Sequence, residues 1–145
     1  MQLYASSLMK NETPFDFVIA DDDQDDQQTL LQAFKDNFNN FNSFSVYNGR
    51  ELMDYLLKEK KYSDDLHSNP DFIFLDINMP LQNGYEVLKE LKAHAELKKI
   101  PVYIFSTACS PSDREIMMGL GAQKCFIKPS LYKDYKTIIE EVIAA

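Results

Sequence analysis

Near the middle of the chain, four apolar residues lead directly into a lone aspartate, in the segment Phe72–Asp76. Such a run, without polar alternation, predicts a strand that is covered on both faces, as in a parallel sheet. Asp76 would then lie at the carboxyl end of this strand, where open α/β sheets place their reactive groups. Pro80 and the pair Asn83-Gly84 supply the turn chemistry that precedes the next helix. Taken alone, Asp76 could also be a carboxylate that only caps a turn.

The rest of the chain alternates between short apolar segments and segments with helical spacing. The predicted strands are Phe15–Ala20, Phe44–Tyr47, the segment before Asp76, Val102–Phe105 and Cys125–Ile127. The predicted helices cover residues 25–37, 52–57, 87–94, 112–119 and 135–143. Asp23 is placed to cap the first helix. Five strands that alternate with five helices predict an α/β fold with right-handed crossovers and a doubly wound parallel sheet.

Length and charge restrict the class of protein. A chain of 145 residues with 45% apolar content can form one compact domain with a real core. We assign residues 15–145 to this domain and residues 1–14 to an N-terminal extension. The net charge of −8 argues against direct nucleic-acid binding, since no basic stripe is present to displace counterions. Much of that charge is local, because five aspartates fall between Asp21 and Asp26.

Cysteine and histidine usage gives no indication of a metal–thiolate site or a histidine-based catalytic triad. Cys109 and Cys125 are far apart in sequence without metal-type spacing, and we interpret them as reduced thiols. His67 and His94 are isolated. No signal peptide or run of transmembrane length is recognisable. We therefore expect a soluble cytoplasmic protein without a membrane partner.

Chemically reactive side chains follow four of the predicted strands. They are Asp21 and Asp22, then Asp76, then Ser106 and Thr107, then Lys128. The carboxyl ends of all strands lie along one edge of a doubly wound sheet. Carboxylates at close range raise one another's pKa unless a cation neutralises them, and oxygen ligands of this kind suit Mg²⁺. A lysine and hydroxyl groups nearby can hold phosphate oxygens, so the set predicts a phosphoryl-transfer site with Asp76 as nucleophile.

Each member of this set also has an ordinary structural explanation. The acidic run could be a solvated helix start, since acids suit the positive end of a helix. Ser106 and Thr107 could satisfy a loop, and Lys128 could be a surface charge. The conjunction favours function, because every member falls at the end of a strand.

Four segments resemble the receiver domain of bacterial two-component response regulators, and the resemblance extends from Phe15 to the C-terminus. They are the acidic pair after the first strand, Leu-Asp-Ile-Asn-Met-Pro-Leu-Gln-Asn-Gly, Pro-Val-Tyr-Ile-Phe-Ser-Thr-Ala and Gly-Ala-Gln-Lys-Cys-Phe-Ile-Lys-Pro. The resemblance implies a flavodoxin-like, five-stranded sheet in the order 2-1-3-4-5. It also implies a signalling phosphoacceptor with self-catalysed phosphotransfer and dephosphorylation rather than a metabolic enzyme.

The resemblance also assigns roles to individual residues. Asp76 would accept phosphate from a histidine kinase or a histidine phosphotransfer protein. The Mg²⁺ site would contain Asp21, Asp22, Asp76 and the backbone carbonyl of Asn78. Of the acidic pair, Asp22 is favoured over Asp21 as the residue that contacts the ion directly. Ser106, Thr107 and Lys128 would contact the phosphoryl group. The Lys128-Pro129 bond would be cis.

Two residues depart from the family pattern. Cys125 occupies the position where the family usually carries a switching Tyr or Phe, and Ser130 replaces an aromatic residue. Ser106 and Cys125 are the predicted switch positions, and we expect the loop at residues 108–112 to move instead of a ring. Because the sequence ends soon after the last predicted helix, we expect it to be similar to stand-alone receivers that dock to another protein or relay phosphate onward.

Three other functions are alternatives to a phosphoacceptor receiver. A calcium-binding EF-hand loop is rejected, because Asp26 sits where the invariant Gly belongs and Gln32 where the bidentate Glu belongs. A haloacid-dehalogenase-type phosphatase would use Asp21 as nucleophile and Asp23 as general acid. It would also need a further acidic pair after the lysine, for which only Asp134, Glu140 and Glu141 remain. A receiver-like binding module that signals without phosphate is the third alternative.

Overall fold

The computed structural model describes residues 13–145, so the extension predicted for residues 1–14 lies almost wholly outside the described part. The strands are β1 (Phe15–Ala20), β2 (Phe41–Val46), β3 (Phe72–Leu75), β4 (Val102–Ser106) and β5 (Lys124–Ile127). The helices are α1 (Gln24–Asn37), α2 (Gly49–Leu57), α3 (Gly84–Ala93), α4 (Pro111–Gly119) and α5 (Tyr135–Ala144). Short 3₁₀ turns cover Lys60–Tyr62, Leu97–Lys99 and Tyr132–Asp134.

The strands form one parallel sheet in the order β2-β1-β3-β4-β5, which confirms the predicted architecture. β3 is the central strand, and all four of its residues are buried, as its apolar run predicts. Its neighbours β1 and β4 end beside it, because Ala20 pairs with Leu75 and Leu75 pairs with Ile104. The three strand ends therefore deliver their following residues to one edge.

The two faces of the sheet carry different cores, because successive strand residues point to opposite sides. One face is aromatic and includes Phe17, Phe72 and Phe74, packed under α1 and α5 through residues such as Phe34 and Ile139. The other face is aliphatic and packs under α2, α3 and α4. Its core includes Val18, Ile73, Ile104, Leu52, Leu88 and Met117. Helices on both faces leave the carboxyl edge of the sheet free for a site.

Several predicted boundaries were wrong by one to three residues; the second and third helices, for example, begin at Gly49 and Gly84 rather than at residues 52 and 87. The second strand begins at Phe41 rather than Phe44 and ends at Val46 rather than Tyr47, because β2 is an edge strand that, among residues 13–145, pairs with β1 alone and so tolerates polar residues. The fourth helix begins at Pro111 rather than Ser112. Ser110 caps this helix and Asp113 bonds back to the Ser110 N–H, which is a complete capping box with proline in the first turn.

No helix within residues 13–145 is long and apolar enough to cross a membrane. An apolar cleft of about 420 Å³ lies at the opposite, amino-terminal end of the strands, where Phe15, Phe72 and Tyr103 line it. None of the predicted site residues lines this cleft.

Candidate functional site

Asp76 lies immediately beyond β3 and is held at both its backbone and its side chain. Its N–H donates to the Ala20 carbonyl at 3.0 Å, and the Ile77 N–H donates to Asp76 Oδ1 at 2.8 Å. The chain then turns tightly toward α3. A Cβ at Gly84 would come within 2.6 Å of the Asp76 carbonyl oxygen, so glycine is required for this close approach. The predicted turn residue Gly84 thus packs against the backbone of the buried Asp76.

The acidic segment after β1 supplies two further carboxylates. Asp21 is buried and Asp22 is exposed, and one oxygen of each lies within 4.8 Å of the other and of an Asp76 oxygen. This is the one group of three or more possible metal ligands of this kind in the described part of the chain. Asp23 caps α1, since its side chain accepts from the Asp26 N–H at 3.0 Å, as predicted.

Gln27 supports this acidic segment from α1 and was not identified from the sequence. Its buried side-chain amide donates to the carbonyls of Asp21 at 3.0 Å and Val46 at 2.7 Å, which ties α1 to the ends of β1 and β2. A glutamine in the second turn of an amphipathic helix carries no sequence signal for such a role. The role depends on where the sheet places the two carbonyls.

Lys128 enters the same site from the end of β5. Its ammonium lies 2.6 Å from Asp21 Oδ2, 2.8 Å from Asp26 Oδ2 and 3.4 Å from Asp76 Oδ2, and only 5% of its side chain is exposed. The Lys128 N–H donates to the Ser106 carbonyl at 2.9 Å, which holds the ends of β4 and β5 together. The strand-end lysine therefore meets the strand-end carboxylates, as the architecture predicts.

Burial acts on the charges of Lys128 and Asp21 in opposite ways. Burial lowers the pKa of Lys128, but hydrogen bonds with Asp21 and Asp26 more than offset this effect, so its pKa is raised and it stays charged. Burial raises the pKa of Asp21 to about 6, although Lys128 and the Asp23 N–H lower it. Lys128 therefore does not fully offset the effect of burial on the pKa of Asp21. A cation bound next to Asp21 would favour its ionised form.

Asp26 is a member of this site that the sequence analysis did not single out. It lies in the first turn of α1, and 30% of its side chain is exposed. The acidic run itself was the available signal, but in sequence alone Asp26 is indistinguishable from its neighbour Asp25 as a helix-starting charge.

Ser106, the last residue of β4, presents a different kind of group. Its side chain is 1% exposed, and no residue among 13–145 makes a hydrogen bond with its Oγ. A buried hydroxyl without a hydrogen-bond partner is unusual. It is free to form a hydrogen bond with an atom of a bound ligand. Thr107 is exposed just beyond it, and Asn78 is exposed in the loop after Asp76.

Cys125 lies on β5 opposite Ile104 and is buried. Cys109 packs against the same aliphatic core, so the fold places in one region two cysteines that are far apart in sequence. Both are free, and burial raises the pKa of Cys125 to about 11. The phenol of Tyr85 hydrogen-bonds to Asp113 across α3 and α4.

The resemblance implied a cis Lys128-Pro129 bond, and the structure contradicts this expectation. No peptide bond within residues 13–145 is cis, so this bond is trans. The trans form is intrinsically favoured before proline by about 0.5–1 kcal/mol.

The acidic residues after the lysine do not form the second pair that a haloacid-dehalogenase-type phosphatase needs. Glu141 pairs with Lys124 near the surface instead. Asp23, the general acid of that alternative, uses its carboxylate to cap α1.

Comparisons with curated proteins give related regulators. The chain is 25% identical over 140 residues to the probable methanogenesis regulatory protein FilR2 of Methanothrix harundinacea, covering 97% of this chain and 88% of that protein. It is 26% identical to response regulator Rcp1 of Synechocystis sp., covering 72% of this chain and 69% of Rcp1. It is 32% identical to chemotaxis protein CheV2 of Helicobacter pylori, but the match covers 63% of this chain and only 28% of CheV2.

Solved structures share the fold along most of the chain. The phosphorylated cyanobacterial phytochrome response regulator RcpA superposes with a TM-score of 0.81 at 28% identity, covering 90% of this chain and 91% of RcpA. The Mn²⁺-bound form of response regulator Rcp1 has a TM-score of 0.80 at 24% identity, covering 90% and 93%. The sequence model of the response regulator receiver domain matches residues 17–140. This chain therefore belongs to the receiver domain family of two-component response regulators.

Proposed function

We propose that Asp76 accepts a phosphoryl group from a phosphohistidine of a partner histidine kinase or histidine phosphotransfer protein. The observation that carries this proposal is the placement of Asp76. Its buried carboxylate lies at the end of the central strand, with Asp21 and Asp22 oxygens within 4.8 Å and the Lys128 ammonium at 3.4 Å. The relative RcpA is described as a phosphorylated regulator, which supports the same chemistry.

In this reaction a carboxylate oxygen of Asp76 attacks phosphorus. A new P–O bond forms while the P–N bond of the phosphohistidine breaks, and its electron pair stays on the ring nitrogen, so that a histidine protonated on its other ring nitrogen leaves as neutral imidazole. The Ile77 N–H holds the carboxylate in one orientation through its bond to Oδ1. The Lys128 ammonium and the Ser106 hydroxyl would then bond to phosphoryl oxygens, and the unpartnered Ser106 Oγ supports this role. Thr107, the next residue, would contribute a second hydroxyl at the end of β4.

The donor set fits Mg²⁺, which binds through a few carboxylates and keeps several waters. Asp21, Asp22 and Asp76 would hold the ion together with the backbone carbonyl of Asn78. Bound Mg²⁺ would offset the charge of these carboxylates and of the phosphoryl oxygens. The raised pKa of Asp21 supports the assignment, since a carboxylate that is costly to ionise gains from a cation.

Mass spectrometry of the intact protein after incubation with acetyl phosphate and Mg²⁺ tests the proposed phosphoacceptor. We expect one phosphoryl group on the wild type and none on Asp76→Asn, whose amide lacks a nucleophilic oxygen of comparable strength. Chelation of Mg²⁺ should also prevent uptake. Equal uptake by Asp76→Asn would show that Asp76 is not the acceptor, and no uptake by the wild type would favour a module that signals without phosphate.

Titration of Mg²⁺ against two adjacent variants tests the metal assignment. Asp22→Ala removes a proposed ligand and should weaken Mg²⁺ binding about tenfold, because most of the metal's protein contacts are carboxylates. Asp23→Ala removes the same charge one residue away but only uncaps α1, so it should lower the free energy of unfolding by about 1 kcal/mol. Equal losses of Mg²⁺ affinity would refute the assignment.

We further propose that the signal leaves through the loop at residues 108–112, by docking to another protein or by onward phosphotransfer. Ser106 would bond to the phosphoryl group, and the small buried Cys125 offers no ring to report the change. The loop between β4 and α4 would therefore rearrange. Hydrogen exchange with and without beryllofluoride should show changed protection from Ala108 to Leu120. Changes confined to the acidic residues would refute this route.

A further inference from the structure

The Lys128 ammonium is shared by three carboxylates, and they are not equivalent. Asp21 and Asp76 belong to the group of possible metal ligands, whereas Asp26 does not. Asp26 is nevertheless closer to the ammonium than Asp76 is, at 2.8 Å against 3.4 Å. The lysine is therefore drawn toward α1 and away from the carboxylate that is proposed to carry the phosphoryl group.

The position of Asp26 in its helix explains why it is available to Lys128. It is the third residue of α1, counted from Gln24, and Glu86 in α3 and Asp113 in α4 occupy the same position. Both of those acids bond back to the N–H of their capping residue and complete a capping box.

In α1 this bond is replaced by another. The N–H of the capping residue Asp23 donates to Asp21 Oδ1 at 2.9 Å, so it has an acceptor without Asp26. The Asp26 carboxylate reaches Lys128 instead, across 102 residues of sequence. The third-position acid thus completes a capping box in α3 and α4, accepts from the Tyr47 N–H in α2 as Glu51, and bonds to the lysine of the site in α1.

We propose that Asp26 is a positioning residue that competes with the phosphoryl group for Lys128 and so weakens the binding of phosphoryl at Asp76. The inference rests on the proposed function. A phosphoryl group adds about 1.5 to 2 negative charges and strong acceptor oxygens near Asp76. To bond to them fully, the ammonium must give up part of its contact with Asp26. Neutralising Asp26 removes that competition.

Beryllofluoride, a non-covalent mimic of the phosphoryl group, provides the test. Its affinity is measured by ¹⁹F NMR at saturating Mg²⁺ for the full chain and three variants. Asp26→Asn should bind beryllofluoride about fivefold more tightly than the wild type, a moderate gain because Asp26 is partly exposed. Asp26→Glu keeps the charge and should retain an affinity within about twofold of the wild type.

Asp25→Asn is the matched control. It removes the same charge from the same exposed first turn of α1 but leaves the contact between Lys128 and Asp26 intact. Its affinity for beryllofluoride should equal that of the wild type. A general disturbance of the site would lower affinity, so a gain restricted to Asp26→Asn identifies competition for Lys128.

Two results would overturn the inference: an unchanged or weakened affinity in Asp26→Asn, or an equal gain in Asp25→Asn. Either result leaves the proposed function standing as long as the wild type binds beryllofluoride. If the wild type shows no bound fluoride signal at saturating Mg²⁺, the proposed function fails, and the inference fails with it.

Discussion

The two halves of the site satisfy their polar groups in opposite ways. On the charged half, formed by Asp21, Asp26, Asp76 and Lys128, every carboxylate has a contact with the ammonium. On the hydroxyl half, at the end of β4, the buried Ser106 Oγ has no hydrogen-bond partner in the described part of the chain. A ligand must replace existing contacts on the charged half, whereas on the hydroxyl half it adds a bond without breaking one.

Because of this contrast, substitutions in the two halves should differ in their effects on stability and on ligand binding. The buried charges of the charged half already have partners, so removing one partner there should lower stability as well as alter binding. The hydroxyl half adds nothing to the stability of the free protein, so changes there should alter binding alone. Of the next three predictions, which run from the largest expected effect to the smallest, the first two test this division.

The largest effect is expected from Lys128→Met, which leaves three carboxylates without their shared cation. The free energy of unfolding should fall by about 3 kcal/mol in the absence of metal, because buried charges lose their partner. Lys124→Met is the control on the same strand, where the lysine is 40% exposed and pairs with Glu141, and its cost should stay below about 0.5 kcal/mol.

Chemical denaturation of both variants measures this difference. Mg²⁺ should recover part of the loss in Lys128→Met, since it can neutralise the same carboxylates. Equal losses in the two lysine variants would show that the charged half does not stabilise the fold.

Ser106→Ala should separate binding from stability. Removing a buried hydroxyl without a partner should leave the free energy of unfolding unchanged or raise it by up to about 1 kcal/mol. The affinity for beryllofluoride should fall about tenfold, through the loss of one hydrogen bond to a charged acceptor.

Ser110→Ala is the control for Ser106→Ala. Ser110 caps α4, so its loss should cost about 1 kcal/mol of stability with little change in beryllofluoride affinity. A clear loss of stability in Ser106→Ala would mean that its hydroxyl has a structural partner after all.

The smallest effect is expected from Tyr85→Phe, at the contact between α3 and α4, which lies outside both halves of the site. The hydrogen bond from the Tyr85 phenol lowers the pKa of Asp113. Its loss should speed hydrogen exchange at the start of α4 about threefold at neutral pH. A carboxyl with a lowered folded pKa contributes stability above its unfolded pKa, so the difference should shrink as the pH falls through the folded pKa.

Tyr132→Phe is the matched variant for that measurement. It removes a similar phenol–carboxylate hydrogen bond, to Asp36, at a site away from α4. Exchange at α4 should be unaffected in this control. An identical effect in both variants, or none in Tyr85→Phe, would show that Tyr85 does not restrain the start of α4.

Local patterns were sufficient to predict the sheet. The unbroken apolar run before Asp76 predicts a central strand, and five such segments between helical patterns predict the parallel sheet that is observed. Boundaries were less predictable at Phe41 and Ser110, because an edge strand tolerates polar residues and two serines near Pro111 could each cap a helix.

The site was predictable where residues follow strands and not where they lie within helices. The strand-end rule brought Asp21, Asp76 and Lys128 together, as the distances between them bear out. Gln27 and Asp26 could not be identified, since their roles depend on which backbone and ammonium groups the fold places opposite α1. The packing of Cys109 against the core that contains Cys125 likewise exists only after folding.

The central claim is that Asp76, rather than one of the other acids of the charged half, forms the covalent bond to phosphorus. Borohydride reduction of protein labelled with acetyl phosphate and Mg²⁺ converts an aspartyl phosphate to homoserine, which peptide sequencing by mass spectrometry can locate. We predict homoserine at residue 76 alone, because this carboxylate is fixed by Ile77 at the end of the central strand. Homoserine at position 21, 22 or 26, with residue 76 still aspartate, would contradict the account.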